Sequence, residues 1–237
     1  MPSNSYFSFK QFTVHQADTA MKVTTDACIL GAYVPVAEAK NILDIGTGTG
    51  LIAMMLAQRS CAKIDAVEIE QLAYFQAISN VENSFFKGKI NIFHTSIQDF
   101  YPKATKQYDL IVSNPPFFQN HLKSERKARN NSLHTDTLSF EDLLDAALGL
   151  LEPTGTFVVL LPAYETAIFE ALATNKGLNI HKKLLIHHRQ GTKILRIITT
   201  FGFEKTQMKT ETLFIKDSDE EYSDDFRKLL KEYYLIF

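Results

Sequence analysis

Short apolar runs alternate with longer amphipathic stretches along most of the chain. Apolar runs of strand length predict buried strands, and apolar residues that recur every three or four positions predict helices. Strands that alternate with helices in this way are typical of parallel βα units. The predicted strands are 41–45, 63–69, 89–93, 108–113 and 156–161, and the predicted helices are 51–58, 71–85, 139–152 and 164–175.

The pattern changes after residue 175. Two strand-like runs, 184–188 and 193–201, are separated only by Arg189-Gln190-Gly191-Thr192. A connection this short can join antiparallel strands but not parallel ones. The acidic run 217–225 then leads into apolar residues at helical spacing, which predicts a C-terminal helix with a solvated entry. The residue pattern thus predicts an α/β fold with a mixed sheet of seven strands, two of which form an antiparallel pair.

The composition is that of an ordinary globular protein, because 45% of the 237 residues are hydrophobic and 22% are charged. We expect one domain over residues 1–237, with an N-terminal extension at 1–40 and a substrate loop at 118–138. The net charge of −2 excludes an overall polycation. Any nucleic acid would therefore have to be bound by local basic patches.

The two cysteines, Cys28 and Cys61, form no C-x-x-C pair, which argues against a disulfide framework and a zinc site. A reduced, cytoplasmic setting fits this usage. We expect no signal peptide, because residues 1–10 hold no apolar run, and no stretch approaches the roughly 20 apolar residues that cross a bilayer. The expected partners therefore include neither a membrane nor a metal ion.

A glycine-rich segment follows the first predicted strand. Glycines at alternate positions let the backbone pass close to a ligand, and the next helix points its first N–H groups at the same place. The spacing is G-x-G-x-G rather than the dinucleotide pattern G-x-G-x-x-G, which suits a nucleoside without a pyrophosphate. A tight strand-to-helix turn with no ligand is the alternative. The candidate cofactor residues in this segment are Asp44, Gly46, Thr47, Gly48 and Gly50.

Carboxylates are found at or after the ends of three predicted strands. Glu68 comes 18 residues after Gly50, where a carboxylate can accept both ribose hydroxyls of an adenosine. Asp44 can pair with an ammonium group of the cofactor. Asp99, after the third strand, can accept the adenine amino group, although a helix cap or a surface position explains it nearly as well.

The tetrapeptide Asn114-Pro115-Pro116-Phe117 follows the predicted strand 108–113. The exocyclic amine of adenine is a poor nucleophile because its lone pair is delocalised into the ring. The Asn114 side-chain oxygen and the Pro115 carbonyl can accept its two N–H bonds, which favours charge developing on the nitrogen. The prolines stiffen the turn, and Phe117 and Phe118 offer rings for a base. A rigid turn with two buried phenylalanines is the alternative.

The glycine-rich segment and the tetrapeptide together predict methyl transfer from S-adenosylmethionine to an exocyclic nitrogen. The sulfonium is already an activated electrophile, so positioning should dominate, without a metal or a dedicated general base. The candidate catalytic residues are Asn114, Pro115 and Phe117, and Asn114 is also a candidate cofactor contact.

Four segments, 9–12, 21–26, 44–50 and 114–117, make the chain similar to the bacterial tRNA1(Val) (adenine-37-N6)-methyltransferase family over nearly its whole length. The resemblance implies a class I methyltransferase fold, that is, a Rossmann-like, mostly parallel sheet of seven strands that ends in a C-terminal antiparallel hairpin. It also implies the cofactor S-adenosylmethionine and N6-methylation of an adenosine beside the anticodon of valine tRNA. No obligate protein partner is expected. The resemblance also implies that Lys22, Thr25 and Asp26 lie near the cofactor or the target base. From chemistry alone, Lys22 would be a surface charge and Asp26 a helix cap.

Two basic clusters are candidate RNA contacts, although a charge run can equally be a solvated face. The first lies in the long polar segment 121–137, which would neighbour the reacting atom, and comprises Lys123, Arg126, Lys127 and Arg129. The second surrounds the predicted hairpin and comprises His181, Lys182, Lys183, His187, His188, Arg189 and Lys193.

Other functions stay compatible with the sequence. Ribosomal guanine-N2 methyltransferases also carry the tetrapeptide, whereas protein glutamine methyltransferases usually end it in Tyr, so Phe117 favours nucleic acid without choosing adenine over guanine. DNA adenine methylation is a further alternative. A non-catalytic RNA-binding module with this fold and a small-molecule methyltransferase with a lid are alternatives of other classes.

Overall fold

The computed structural model describes residues 5–17, 19, 21–116 and 138–237. The predicted substrate loop 118–138 lies outside this part of the chain except for Leu138. The expectations for Phe117, Phe118, Lys123, Arg126, Lys127 and Arg129 also fall outside it and stay predictions. Within the described ranges, no helix is both long and apolar enough to cross a membrane.

A mixed β-sheet forms the centre of the fold. The described strands are β1 (Tyr6–Ser8), β2 (Thr13–His15), β3 (Asn41–Ile45), β4 (Lys63–Glu68), β5 (Ile90–His94), β6 (Tyr108–Ser113), β7 (Leu151–Leu161), β8 (Asn179–His187), β9 (Ile194–Gly202) and β10 (Lys209–Phe214). Eight of them form one sheet in the order β10-β8-β9-β7-β6-β3-β4-β5, and β1 and β2 form a separate antiparallel hairpin. In the large sheet only β9 runs antiparallel to its neighbours, β7 and β8.

Helices cover both faces of the large sheet. The described helices are α1 (Thr25–Tyr33), α2 (Leu51–Arg59), α3 (Gln71–Glu82), α4 (Ile97–Phe100), α5 (Phe140–Leu150), α6 (Ala163–Asn175) and α7 (Asp224–Leu230), with a 3-10 turn at Tyr101–Lys103. The side chains of Thr24, Ser139 and Ser223 accept backbone N–H bonds at the starts of α1, α5 and α7. Such caps satisfy N–H groups that have no partner inside the helix.

Side chains on the two faces of the sheet enter two separate apolar cores. Along β6, Leu110 and Val112 belong to the core under α1, α2 and α7, while Ile111 belongs to the core under α5 and α6. This alternation follows from the two-residue period of a strand. A parallel sheet covered on both faces needs apolar residues at every position, which explains the continuous apolar runs in the sequence.

The large sheet has eight strands rather than the seven predicted. The additional strand, β10, pairs in parallel with β8 at the edge of the sheet. Its first four residues, 209–212, are polar and exposed, and only Leu213 is buried. An edge strand of this kind carries no apolar run, so the hydrophobic pattern could not reveal it.

The boundary between α5 and β7 also differs from the prediction. The helix ends at Leu150 rather than at Glu152, and the strand starts at Leu151 rather than at Thr156. Pro153, the residue directly after the predicted helix 139–152, lies inside β7. The pairing of β7 with β6 shifts register there, between Tyr108 and Leu110. A strand tolerates a residue without an N–H at such an irregularity.

The N-terminal hairpin packs against the C-terminal end of the chain. Phe9 and Phe12 are buried at the hairpin turn, and their rings stack with centroids 4.6 Å apart. The ammonium group of Lys10 donates to the carbonyl oxygens of Lys231 and Phe237 at 2.6 and 2.7 Å. Residues 9–12, which carry part of the family resemblance, thus connect the two ends of the chain.

Replacing Phe9, which is 4% exposed, by alanine should lower the free energy of unfolding by about 3 kcal/mol, because a buried ring is lost and a cavity remains. Urea unfolding followed by circular dichroism measures the change. The matched control is Phe85→Ala, since Phe85 is 88% exposed and its loss should cost less than about 0.5 kcal/mol. Equal effects of the two substitutions would contradict a structural role for Phe9.

Candidate functional site

The glycine loop, residues 46–50, and the Asn-Pro-Pro turn leave the sheet side by side. Strands β3 and β6 pair in parallel with Ile45 opposite Ser113, so Gly46 and Asn114 follow at adjacent positions. The Ser113 hydroxyl donates to the Ile45 carbonyl oxygen at 2.9 Å, in a buried bond between the two strand ends. Because neighbouring strands lie about 4.8 Å apart, the two segments flank one crevice at the carboxyl edge of the sheet.

The three glycines of the loop all have left-handed backbone conformations, with φ values of 74° at Gly46, 59° at Gly48 and 81° at Gly50. A Cβ added at Gly46 or Gly48 would meet nothing within 4 Å, whereas one at Gly50 would lie 3.6 Å from Ala77 Cβ. The backbone conformation therefore requires these glycines, and open space in front of the first two leaves room for a ligand.

Glu68 ends β4, as predicted, and its carboxylate holds the glycine loop. Oε2 accepts the N–H of Gly48 at 2.8 Å, and Oε1 accepts the N–H of Glu70 at 2.8 Å. Each carboxylate oxygen can accept a second hydrogen bond. Holding the loop and accepting the ribose hydroxyls of an adenosine are thus compatible roles for this residue.

Asp44 is fully buried beneath the glycine loop. Its Oδ2 accepts the Thr47 hydroxyl at 2.6 Å, while Oδ1 is buried with no hydrogen-bond partner among the described residues. Burial raises the pKa of the carboxyl to about 7, the Thr47 hydroxyl and the backbone N–H of Ala53 oppose this rise, and the charge of Glu68 adds to it. A buried carboxylate with a free oxygen is well suited to a cationic ligand group, such as the ammonium of S-adenosylmethionine.

A cleft opens between the carboxyl ends of β3, β4 and β5. It encloses about 350 Å³, the open space at its mouth included. Its apolar walls can flank a flat heterocycle such as adenine. The lining residues in the described part of the chain are Ile45, Gly46, Val67, Ile69, Thr95, Ser96, Ile97, Gln98 and Leu138.

Asp99 lies in α4, directly after this lining, and its contacts are those of a helix cap. The Ser96 hydroxyl donates to its Oδ2 at 2.9 Å, and the Asp99 N–H donates to the same hydroxyl oxygen at 3.0 Å. The side chain is exposed. These bonds account for Asp99 without a ligand, so its contact with adenine stays a prediction.

Asn114 brings an unpaired acceptor to the crevice. Its side-chain oxygen Oδ1 is buried and has no hydrogen-bond partner in the described ranges. Pro115, the next residue, is buried, and Pro116 is exposed. Leaving a buried acceptor unpaired costs about 1–3 kcal/mol. The side-chain oxygen of Asn114 is thus left without a hydrogen bond from the described residues where the chain leaves β6, and its contact with a substrate amine stays a prediction.

Asn80 is a residue that the sequence analysis missed. It is 1% exposed on α3, and its Oδ1 accepts the N–H of His15 while its Nδ2 donates to the carbonyl oxygens of His15 and Thr49, each at 2.9 Å. One side chain thus links the N-terminal hairpin to the glycine loop. The available signal was a polar residue within the apolar stripe of the predicted helix 71–85, alongside Ala73, Ala77 and Val81.

The structure gives Lys22 and Asp26 different surroundings. The ammonium group of Lys22 donates to the carbonyl oxygens of Gln16 and, at 2.9 Å, Thr19, so it stabilises the turn between β2 and α1.

Asp26 lies in the first turn of α1 and pairs with Arg196 Nε at 2.9 Å. Arg196 precedes Ile197, which pairs with the last residue of β7. Asp26 therefore lies at the same edge of the sheet as Asn114, while contact of either residue with a substrate stays a prediction.

Much of the second basic cluster is paired with carboxylates. Lys182 binds Glu211 at 2.9 Å, Lys183 binds Glu170 at 2.6 Å, and Arg189 pairs with Glu220. This cluster is thus far less cationic than its sequence indicates. Among the described residues, no three His, Cys, Asp or Glu side chains form a group that could hold a metal ion.

Sequence comparisons place relatives along the full length of the chain. A family model described as methyltransferase small domain matches residues 19–172. The tRNA1(Val) (adenine(37)-N6)-methyltransferase of Dyadobacter fermentans is 43% identical over 244 positions and covers 100% of both chains. Proteins of the same name from Trichodesmium erythraeum and Bacteroides fragilis are 44% and 42% identical, covering 98% of this chain and 98% and 99% of their own.

Solved structures share the fold at low sequence identity. A predicted O-methyltransferase from Agrobacterium tumefaciens has a TM-score of 0.69 at 19% identity, over 87% of this chain and 96% of its own. A Pyrococcus horikoshii protein in complex with MeSAdo has a TM-score of 0.57 at 11% identity, over 83% of this chain and 69% of its own. These similarities confirm the predicted Rossmann-like methyltransferase fold.

Asn80→Ala should weaken S-adenosylmethionine binding about five- to tenfold, because loss of the bond to the Thr49 carbonyl frees the glycine loop at a cost of about 1 kcal/mol. Isothermal titration calorimetry, at a temperature where the variant is folded, measures the affinity. Asn83→Ala, on an exposed asparagine at the end of the same helix, is the control. Reduced stability with unchanged affinity would limit Asn80 to a role in folding.

Binding of S-adenosylmethionine should weaken as the pH falls through about 7, the pKa of Asp44, because the protonated carboxyl no longer attracts an ammonium group. The dissociation constant at pH 6 should exceed that at pH 8 about tenfold, the ratio of the two ionised fractions. Asp44→Asn should bind S-adenosylmethionine more weakly, and its affinity should depend less on pH. The pH dependence that remains in this variant measures the titration of the ligand's own amino group. Parallel profiles for the two proteins would show that Asp44 does not control binding.

Proposed function

The chain belongs to the tRNA1(Val) (adenine(37)-N6)-methyltransferase family, within the methyltransferase small domain group, and we propose that it methylates N6 of an adenosine in tRNA. S-adenosylmethionine is the methyl donor. The finer assignment, adenosine 37 of valine tRNA, is supported by the names of the relatives. A cytoplasmic setting and contact with the anticodon region belong to the same proposal.

One observation carries the proposal, namely the unpaired side-chain oxygen of Asn114 beside the glycine loop. Buried acceptors are usually paired, so an unsatisfied one calls for an explanation, and a bound ligand that donates to it is one. The cost is accepted in many active sites because a ligand restores the missing bond. A carbonyl oxygen can only accept, so the group that satisfies it is a donor, and the amine of the target base is such a donor.

The residues of the crevice fit the cofactor. S-adenosylmethionine, when bound, supplies a methyl group that its sulfonium makes electrophilic. Asp44 would hold the ammonium group, Glu68 would accept the ribose hydroxyls, and the cleft beside Ile45, Val67 and Ile97 would hold the adenine ring. The left-handed glycines would let the loop backbone approach the cofactor closely.

Asn114 and Pro115 would act on the target amine. The Asn114 Oδ1 and the Pro115 carbonyl oxygen accept its two N–H bonds, which orients the nitrogen lone pair away from both acceptors. As the nitrogen takes up the methyl group it becomes positively charged, so its N–H bonds grow more polar and these hydrogen bonds strengthen. Loss of one N–H proton then gives the neutral methylated amine. Interactions that are stronger in the transition state than in the ground state accelerate the reaction. Phe117, outside the described residues, would supply a ring against the base.

The tRNA would approach from the other side of Asn114, over the carboxyl end of β7 and the amino end of β9, which runs antiparallel to it. We assign this side because the cofactor residues occupy the ends of β3, β4 and β5. Asp26, paired with Arg196, lies on this substrate side. Lys123, Arg126, Lys127 and Arg129 directly follow the reactive turn in sequence, and Phe118 is a further candidate contact for the base.

Asn114→Ala should lower kcat for N6-methylation of tRNA by about 100- to 1,000-fold, the range seen when one transition-state hydrogen bond is removed. The affinity for S-adenosylmethionine should change less than about threefold, because Asp44 and Glu68 stay in place. Mass spectrometry of nucleosides from methylated tRNA identifies the product, with Asn83→Ala as the control. Near-normal turnover of Asn114→Ala would refute its catalytic role, and N2-methylguanosine as the wild-type product would favour the guanine alternative.

A further inference from the structure

An acidic turn lies against the tip of the hairpin that β8 and β9 form. The hairpin tip is residues 188–193, between β8 and β9, and the acidic turn is residues 217–221, after β10. The Glu220 carboxylate pairs with the Arg189 guanidinium and lies 3.8 Å from His188 Nε2. Lys193, at the other end of the hairpin tip, is exposed.

The acidic turn has a fixed shape that directs Glu220 toward the hairpin tip. Glu220 has a φ of 61°, and in the described ranges it is the one residue other than glycine with a positive φ. Asp217 Oδ1 accepts the N–H groups of Asp219 and Glu221 at 2.9 and 3.0 Å. The Lys216 ammonium donates to the Glu220 carbonyl oxygen at 2.8 Å. Left-handed backbone at a glutamate is unfavourable, so these bonds hold the carboxylate in a position it would not adopt freely.

The hairpin tip lies on the substrate side of Asn114. Ser113 is level with Val159 of β7, and Leu161 of β7 is level with Ile197 of β9. Strand β9 begins at Ile194, so the hairpin extends past the level of the reactive turn. With about 3.3 Å per residue and 4.8 Å between strands, the tip lies on the order of 20 Å from Asn114. That distance is comparable to the width of an RNA stem, so one RNA could contact both places.

We propose that the hairpin tip binds the sugar–phosphate backbone of the tRNA, and that Glu220 occupies in the free protein the position that a phosphate takes on Arg189. The inference rests on the proposed function. A guanidinium binds carboxylates and phosphates with the same planar set of donors, so one anion can replace the other. The exchange releases the Glu220 carboxylate to solvent.

The exposure of this ion pair permits such an exchange. The side chains of Arg189 and Glu220 are 49% and 54% exposed, and exposed pairs contribute little to stability. The pair between Lys183 and Glu170 is different, since its side chains are only 21% and 13% exposed. An RNA backbone carries adjacent phosphates, so it can bind Lys193 and Arg189 at the same time. A single anion can bind only one of the two side chains. Glu220 would therefore oppose weak, non-specific binding more than binding of the correct tRNA.

The experiment measures the affinity of the full-length protein for an unmodified tRNA transcript at several salt concentrations. Arg189→Ala should weaken binding about three- to tenfold at low salt and reduce the slope of log Kd against log salt by up to about one. Glu220→Gln should tighten binding about two- to fivefold. Asp219→Asn is the matched control, because it removes the same charge from the same turn, and no hydrogen bond or ion pair of its carboxylate is seen in the described ranges.

A double-mutant cycle separates the proposed exchange from a general change of charge. The gain from Glu220→Gln should exceed that from Asp219→Asn and should disappear in the Arg189→Ala background. Unchanged affinity of S-adenosylmethionine for each variant shows that the fold and the cofactor site are intact. The inference would be overturned if Glu220→Gln and Asp219→Asn had equal effects on tRNA affinity. It would also be overturned if Arg189→Ala kept the wild-type affinity and salt slope. In either case, methylation of the tRNA by the wild-type protein would still uphold the proposed function. A wild-type protein that neither binds nor methylates tRNA would overturn both.

Discussion

The candidate site depends on the parallel pairing of β3 with β6. The chain leaves β3 through the glycine loop into α2 on one face of the sheet, and α5, the next described helix after β6, lies on the other face. Two neighbouring strands whose connections diverge in this way leave a crevice at their carboxyl ends. Ser113 fixes the rim of that crevice through its bond to the Ile45 carbonyl oxygen. The glycine loop and Asn114 are thereby adjacent, although Asn114 comes 64 positions after Gly50 in the chain.

Two buried carboxylates lie at the floor of the crevice, and the protein supplies them with different numbers of hydrogen bonds. Glu68 receives one backbone N–H on each oxygen. Asp44 receives the Thr47 hydroxyl on one oxygen and has no partner for the other in the described part of the chain. The two negative charges also repel each other, which contributes to the raised pKa of Asp44. A ligand with an ammonium group and ribose hydroxyls supplies what each carboxylate lacks, so the asymmetry matches the two ends of the predicted cofactor.

The sequence predicted the parts of the site that follow from local pattern. The bounds of β3 and β6 agree with the predicted 41–45 and 108–113, because buried parallel strands read as continuous apolar runs. Glu68 at the end of β4 followed from the same signal. Strand β10 was missed because an exposed edge strand has no such run. The contacts of Asn80, and the pairing of Asp26 with Arg196, join residues far apart in the chain, and a single sequence carries no signal for which distant partners meet.

Residues of the N-terminal segment help to order the glycine loop, although none of them is a candidate reacting group. Three glycines in left-handed conformations have little intrinsic preference for the shape they adopt, so the loop must be ordered by its surroundings. Asn80 provides one such contact at the Thr49 carbonyl, and its other two bonds go to the backbone of His15 in β2. The hairpin that contains His15 is in turn fixed by Phe9 and Phe12 and by the bonds of Lys10 to the C-terminal segment. A chain that kept the glycine loop and the tetrapeptide but lost residues 9–16 would therefore keep the reacting groups and lose the contacts that order the loop.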